Sequence, residues 1–143
     1  SVNDRYGHAC GDQVLSRLAL SLKQHSRADD LIARFGGEEF VLLLPSADLK
    51  EASRCAERIR TACQMLEFLV GPDTTLQITV SIGVAEIDTA HESMETALER
   101  ADRALFEAKK AGRNRVDIGV REPAGQGAGD LAVPVESRPA ASL

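Results

Sequence analysis

The chain has 143 residues, of which 43% are hydrophobic and 27% are charged, and its formal net charge is −5. A chain of this size can bury a hydrophobic core, and the composition is typical of one globular domain. The negative net charge argues against broad electrostatic binding to nucleic acid, so we expect no nucleic acid partner. The three cysteines form no Cys-x-x-Cys pair, which favours a reducing, cytoplasmic compartment over a disulfide framework or zinc site.

Apolar spacing predicts three helices in chain order. The first spans 12–25, where the Asp12 carboxylate is placed to cap free backbone N–H groups. The second spans 48–68. The third spans 94–110, and Gly112 marks its C-terminal end because glycine readily adopts the positive φ that closes many helices.

The remaining periodic segments predict strands. Residues 31–44 form two short apolar runs around Gly36 and Gly37, and a glycine pair of this kind predicts a hairpin turn. The β-branched run at 74–87 is nearly continuous, which is typical of a buried central strand. Residues 114–120 predict a closing strand.

After Val120 the composition changes to Ala, Gly and Pro without periodicity. We therefore predict a folded domain over 1–120 and a disordered tail over 121–143. The order helix, hairpin, helix, strand, helix, strand indicates an α+β fold. One more strand before residue 1 would complete a ferredoxin-like βαββαβ antiparallel sheet with helices on one face. Without that first strand, we expect the sheet to lack a central member.

Two acidic residues, Glu38 and Glu39, follow the glycines of the hairpin. Alone, they favour a solvated acidic turn. The glycines, however, would let a ligand approach the backbone closely, and successive N–H groups in such a turn can meet anionic oxygens. Carboxylates and phosphates share a site readily when Mg²⁺ lies between them. The turn therefore has a second interpretation as a metal–nucleotide site.

The segment "RFGGEEF" at 34–40 resembles the signature of the GGDEF-domain diguanylate cyclases, in its GGEEF variant. Further segments resemble the family in the same order and spacing, so that the resemblance runs from Ser1 to about Val116. They are "NDRYGHACGD" at 3–12, "RADD" at 27–30, "AERIR" at 56–60, "TVSIGVA" at 79–85 and "ADRALFEAKKAGRNRV" at 101–116.

The resemblance implies an enzyme that condenses two GTP molecules into cyclic di-GMP and releases two pyrophosphates, in bacterial second-messenger signalling. It implies a fold similar to nucleotide cyclases and polymerase palm domains, and Mg²⁺ or Mn²⁺ as cofactor. Each domain would hold one GTP, so we expect a homodimer as the active unit. Related non-catalytic modules sense GTP or cyclic di-GMP, and that alternative function stays open.

The resemblance also implies roles for single residues. Glu38 would bind the metal and help to deprotonate the 3′-hydroxyl, with Glu39 supporting the site. The other substrate-binding residues would read guanine or hold phosphates, and they are Asn3, Asp12, Gly36, Gly37, Lys109 and Arg113. The alternatives are the helix cap for Asp12 and compensation of the helix dipole for the two basic residues.

Arg27 and Asp30 match the R-x-x-D motif through which the family binds its product as an inhibitor, and Arg58 matches an arginine that completes this site. A solvated helix face is the alternative for Arg58. The family's first strand, which carries an aspartate metal ligand, should lie before Ser1. We therefore expect this chain alone to be an inactive fragment of a cyclase. The parent protein, cytoplasmic or tethered to a membrane, would carry an upstream regulatory domain.

Overall fold

The computed structural model describes residues 2–121 and 131–139, and within these residues the chain forms four helices and six strands. In chain order they are α1 (Val2–Tyr6), α2 (His8–His25), β1 (Leu31–Gly36), β2 (Glu39–Leu44), α3 (Leu49–Gln64), β3 (Glu67–Gly71), β4 (Thr74–Glu86), α4 (Met94–Lys110), β5 (Val116–Gly119) and β6 (Leu131–Pro139). The predicted hairpin and the predicted helix over 94–110 are confirmed.

The strands form one mixed sheet in the order β1-β2-β6-β4-β3, and β5 pairs with the later part of β4. The β4–β5 pairing is parallel, and the other pairings are antiparallel. The predicted α+β class is therefore confirmed. The closing strand β5 is the parallel member of a sheet that is otherwise antiparallel.

Helices α2 and α3 cover one face of this sheet. Leu42 in β2 and Ile82 in β4 lie in one fully buried core with Leu18 and Leu22 of α2 and Ile59 of α3. Successive strand residues point to opposite faces, so the residues next to Leu42 and Ile82 point away from α2 and α3, towards the other face of the sheet.

Helix α4 covers the opposite face, where Gly83 of β4 meets it. A Cβ at Gly83 would lie 1.9 Å from the carbonyl oxygen of Ala101, so glycine is required for this close approach. The prediction that helices lie on one face is thus wrong. β4 is buried on both faces from Val80 to Ala85, which its nearly continuous apolar run already indicated.

Helix α2 begins earlier than predicted, at His8 instead of residue 12. Its N-cap is Gly7, with φ of 82°, and no side chain caps this end. Asp12 lies inside the helix and is exposed, so the interpretation of Asp12 as a cap is wrong.

The second predicted helix ends early, because α3 stops at Gln64 and residues 67–71 form β3 against the first part of β4. Phe68 of β3 is buried against Val2, Val14, Leu76 and Ile78. These partners are distant in sequence, so local helical spacing could not reveal the strand.

Strand β6 lies between β2 and β4 and pairs with both, with Val133 opposite Leu42 and Val135 opposite Ile82. The predicted disordered tail is therefore wrong for residues 131–139, and a strand stands at the central place where the sheet was expected to lack one. Pro134, buried in this strand, disguised it, because proline is rare in central strands. The rest of the predicted tail beyond Arg121 lies outside the described residues. Among the described helices, none combines the length and apolarity that crossing a membrane requires.

Candidate functional site

The turn between β1 and β2, residues 36–39, is here called the glycine turn. Gly36 pairs with Glu39 across it, and Gly37 has φ of 24°, a left-handed conformation that other residues rarely adopt. The Arg34 guanidinium donates two hydrogen bonds to the Gly37 carbonyl oxygen, from Nε at 3.0 Å and from Nη2 at 2.5 Å. The shape of the turn is therefore held by its own strand.

The space beside the glycine turn is open. A Cβ at Gly37 would meet no heavy atom within 4 Å, and one at Gly36 would meet only the Glu39 carboxylate, at 3.9 Å. Glu38 is half-buried, and Glu39 is exposed at the start of β2. An anionic ligand could thus reach the backbone of the turn directly.

The carboxylates of the same turn are candidate ligands for a metal ion. Within residues 2–121 and 131–139, no three His, Cys, Asp or Glu side chains are grouped to hold a metal ion. Mg²⁺ in nucleotide sites is commonly held by one or two carboxylates together with substrate phosphates. The Glu38 carboxylate beside an open turn fits that donor chemistry, with the substrate supplying the remaining oxygens.

The predicted guanine-reading residues lie on two helices that pack against each other, α1 and α2. Asn3 belongs to α1, and its side chain lies outside the described part. Asp12 is exposed on α2 and is free of the capping role. The fold thus brings the two elements together, while the geometry of the pair itself stays a prediction.

The predicted phosphate-binding residues lie where α4 ends. Lys109 is half-buried in the last turn of the helix. Gly112 has φ of 113°, and the Arg113 N–H donates to the Ala108 carbonyl at 2.9 Å, which is the hydrogen bond of a Schellman motif. The predicted glycine ending is confirmed, and it turns the chain so that Arg113 is exposed.

Three residues predicted for product binding do meet in one place. Arg27, Asp30 and Arg58 line a cavity of about 80 Å³, here called the arginine cavity. The Asp30 carboxylate accepts a hydrogen bond from the Arg27 backbone N–H at 2.6 Å, and Arg58 Nη2 donates to the His25 carbonyl at 2.7 Å. These contacts fix the cavity from both the loop after α2 and the body of α3.

Two further residues of the arginine cavity were missed. Glu51 pairs with Arg27 through Oε1 and Nη2, 3.3 Å apart. Cys55 is buried, and its Sγ accepts from Arg58 at 3.5 Å. Burial raises the pKa of the Cys55 thiol, although the Arg58 charge opposes that shift, so the thiol is protonated at neutral pH. The D-x-x-E pattern of a capping box could have singled out Glu51.

A buried charged cluster between β4 and α4 was also unexpected. The Asp88 side chain is 1% exposed and accepts hydrogen bonds from Arg121 Nη1 and His91 Nδ1, each at 2.7 Å. These bonds, Arg121's first, lower the pKa of Asp88 to about 2. Nearby, Arg100 of α4 pairs with Glu92 in the loop between β4 and α4. This ion pair ties the loop to the helix, so we assign it a structural role.

Comparison with protein families gives a match over residues 1–115 to the family described as "Diguanylate cyclase, GGDEF domain". Diguanylate cyclase DgcP of Pseudomonas aeruginosa is 43% identical over 117 residues, which are 82% of this chain and 17% of DgcP. The chain spans 17–32% of the length of the curated relatives it matches.

Solved structures agree with this result. Diguanylate cyclase SiaD of Pseudomonas aeruginosa, in complex with its activator SiaC, has a TM-score of 0.77 at 40% identity, covering 82% of this chain and 44% of SiaD. The GGDEF domain of DgcB from Caulobacter crescentus, in complex with c-di-GMP, has a TM-score of 0.76 at 34% identity, covering 82% of this chain and 69% of that one. The chain therefore belongs to the GGDEF-domain family of diguanylate cyclases.

Proposed function

We propose that this domain is the catalytic unit of a diguanylate cyclase, acting as a homodimer on two GTP molecules. The observation that carries the proposal is the glycine turn, which keeps both glycines and both acids and opens onto free space. In the reaction, the 3′-oxygen of each GTP bonds to the α-phosphorus of the other. The bond from that phosphorus to the bridging oxygen breaks, and pyrophosphate leaves.

The residues divide this task by their chemistry. Asn3 and Asp12 offer an amide and a carboxylate, which together can pair with the guanine edge and reject adenine. Lys109 and Arg113 offer positive charge to the phosphates that leave. The backbone N–H groups around Gly36 and Gly37 approach the phosphate oxygens.

Glu38 has the central part at the turn. It accepts the proton of the attacking 3′-hydroxyl and serves as the carboxylate ligand of the divalent cation. When bound, Mg²⁺ or Mn²⁺ neutralises charge that grows on the phosphate oxygens. Glu39 lies beside it and keeps the turn negative, which favours a cation at this position.

The arginine cavity is proposed to bind cyclic di-GMP as an inhibitor. Its two guanidinium groups, on Arg27 and Arg58, match the two phosphodiester charges of that product. The cavity lies beyond the far end of β2 from the glycine turn, with Leu44 in its lining. Binding there would leave the turn free and act on it at a distance.

The experiment uses a longer version of the protein that includes the sequence upstream of Ser1. It is incubated with GTP and Mg²⁺, and cyclic di-GMP is measured by chromatography, with light scattering to determine the oligomeric state. We expect product from this protein, and a loss of at least about a hundredfold in Glu38→Ala, because ligand and base are removed together. Asp73→Ala, an exposed acid in the β3–β4 turn, is the matched control and should keep full activity.

A second function, a non-catalytic module that binds cyclic di-GMP, is favoured by one observation. Arg27, Asp30 and Arg58 line one cavity, whereas the substrate residues lie on separate elements: α1, α2, the glycine turn and the end of α4. A folded dimer that makes no product but binds cyclic di-GMP through Arg27 would establish this function and reject the cyclase.

A further inference from the structure

We propose that Glu51 is an internal competitor for Arg27, so that cyclic di-GMP must displace its carboxylate to bind the arginine cavity. The inference rests on the proposed product-binding function of that cavity and adds a residue that sets its affinity. Three observations support it: the ion pair itself, the way Glu51 is anchored, and the different partners of the second arginine.

The ion pair lies at the mouth of the cavity. Arg27 Nη2 and Glu51 Oε1 are 3.3 Å apart, and the two side chains are 56% and 43% exposed. Both residues line the same cavity. An exposed pair of this kind is weak, so a ligand phosphate with bidentate geometry can replace the carboxylate, at a measurable cost in affinity.

Glu51 is held in place by the start of α3. Its second oxygen, Oε2, accepts from the Asp48 backbone N–H at 3.3 Å, and the Glu51 N–H donates to Asp48 Oδ1 at 2.7 Å. This capping box keeps the carboxylate on the helix end even after Arg27 has left it. A phosphate at Arg27 would therefore meet a fixed negative charge nearby.

Arg58 differs from Arg27 in this respect. Its Nη2 donates to two uncharged acceptors, the His25 carbonyl at 2.7 Å and Cys55 Sγ at 3.5 Å. Asp30, the other acid of the cavity, uses its carboxylate on the Arg27 backbone N–H. Competition by a carboxylate is therefore concentrated on the Arg27 guanidinium, and Glu51 supplies it.

The test is titration calorimetry of cyclic di-GMP into the full chain and into Glu51→Gln. Glutamine at this position keeps the capping box but removes the charge. We expect the dissociation constant to fall about three- to tenfold in the variant, and the difference to shrink as salt rises, because salt screens exposed charges. Glu51→Ala also removes the charge and should shift affinity in the same direction.

Two controls separate this effect from a general change of charge or stability. Glu57→Gln removes an acid from the same helix that pairs with Arg60 instead, and it should leave affinity unchanged. In an Arg27→Ala background, Glu51→Gln should give no gain, since the group for which it competes has been removed.

Each outcome decides the matter. Equal binding by wild type and Glu51→Gln would overturn the inference and leave the product site standing. A gain that persists without Arg27 would overturn the competition at that residue. Absence of binding in every variant would overturn both the inference and the proposed product site, whereas binding by Glu51→Gln alone would support both.

Discussion

The glycine turn and the arginine cavity are joined by β2, yet they are built differently. The turn is held by one arginine of its own hairpin and faces open space. The cavity is closed by contacts that join the end of α2 and the loop after it to α3, between residues 24 to 33 positions apart. A site closed within one chain can bind a ligand by itself, whereas an open half-site needs the ligand, or a second copy, to complete it.

The largest effect should come from removing β6, because the glycine turn and the arginine cavity would then be lost together. A chain ending at Arg121 leaves β2 and β4 without the strand that pairs with both, so backbone groups and apolar side chains are exposed. We expect loss of cooperative thermal unfolding, and with it loss of both the turn and the cavity. Retention of a cooperative transition, measured by circular dichroism, would contradict this role of β6.

The cavity alone should respond to Arg58→Ala. This change removes a guanidinium that lines the cavity and donates to the His25 carbonyl and to Cys55 Sγ. Hydrogen bonds to charged groups contribute about 1.5–3 kcal/mol, so we expect about ten- to a hundredfold weaker binding of cyclic di-GMP. Calorimetry measures the affinity, and Arg54→Ala, one turn earlier on α3, is the matched control.

If the two regions are separate sites, the turnover of GTP without added product should survive Arg58→Ala in the longer protein. A parallel loss of turnover and product binding would show that the regions form one unit. The division into two sites would then be wrong, and the glycine turn and the arginine cavity would have to be energetically coupled through β2.

The turn alone should respond to Arg34→Ala. Both hydrogen bonds to the Gly37 carbonyl would be lost, and an exposed hydrogen bond contributes about 0.5–1.5 kcal/mol. We expect about a three- to tenfold fall in turnover by the longer protein, with binding of cyclic di-GMP to the cavity unchanged. Arg103→Ala, an exposed arginine on α4, controls for the lost charge. Equal losses in both variants would contradict the role of Arg34.

Elements with strong local signals could be predicted from the sequence. The hairpin followed from Gly36 and Gly37, and α4 followed from its apolar spacing and Gly112. The family resemblance also grouped Arg58 with the R-x-x-D residues Arg27 and Asp30, and these three residues do line one cavity. In each case, the information lies within a few neighbouring residues or in a spacing that the family shares.

Features that depend on distant partners could not be predicted in this way. Strand β3 exists because Phe68 packs on residues of α1, α2 and β4. Strand β6 pairs with residues far away along the chain, and Pro134 concealed it. Glu51 could be identified as a helix-capping residue, but its contact with Arg27 bridges 24 residues and required the fold.

The smallest effect under assay conditions should come from protonating Asp88 at low pH. Asp88 belongs to neither the glycine turn nor the arginine cavity, so its protonation should affect both regions equally. The pKa of Asp88 in the folded protein is about 2, below its usual 3.8, because Arg121 and His91 bind its charged form. The folded state therefore binds fewer protons, and this contribution to stability is complete above about pH 4. It is lost as pH falls towards 2.

The measurement is the difference in unfolding temperature between wild type and Asp88→Asn as the pH is lowered from 6 to 2. Asparagine does not titrate, so the difference isolates Asp88 from the other carboxylates, which protonate in both proteins. We expect the advantage of wild type to shrink as the pH falls from about 4 towards 2. An advantage independent of pH would mean that the Asp88 carboxylate contributes through its shape and hydrogen bonds alone. Because Asp88 anchors the loop before α4, its loss should weaken the turn and the cavity together, unlike Arg34→Ala or Arg58→Ala.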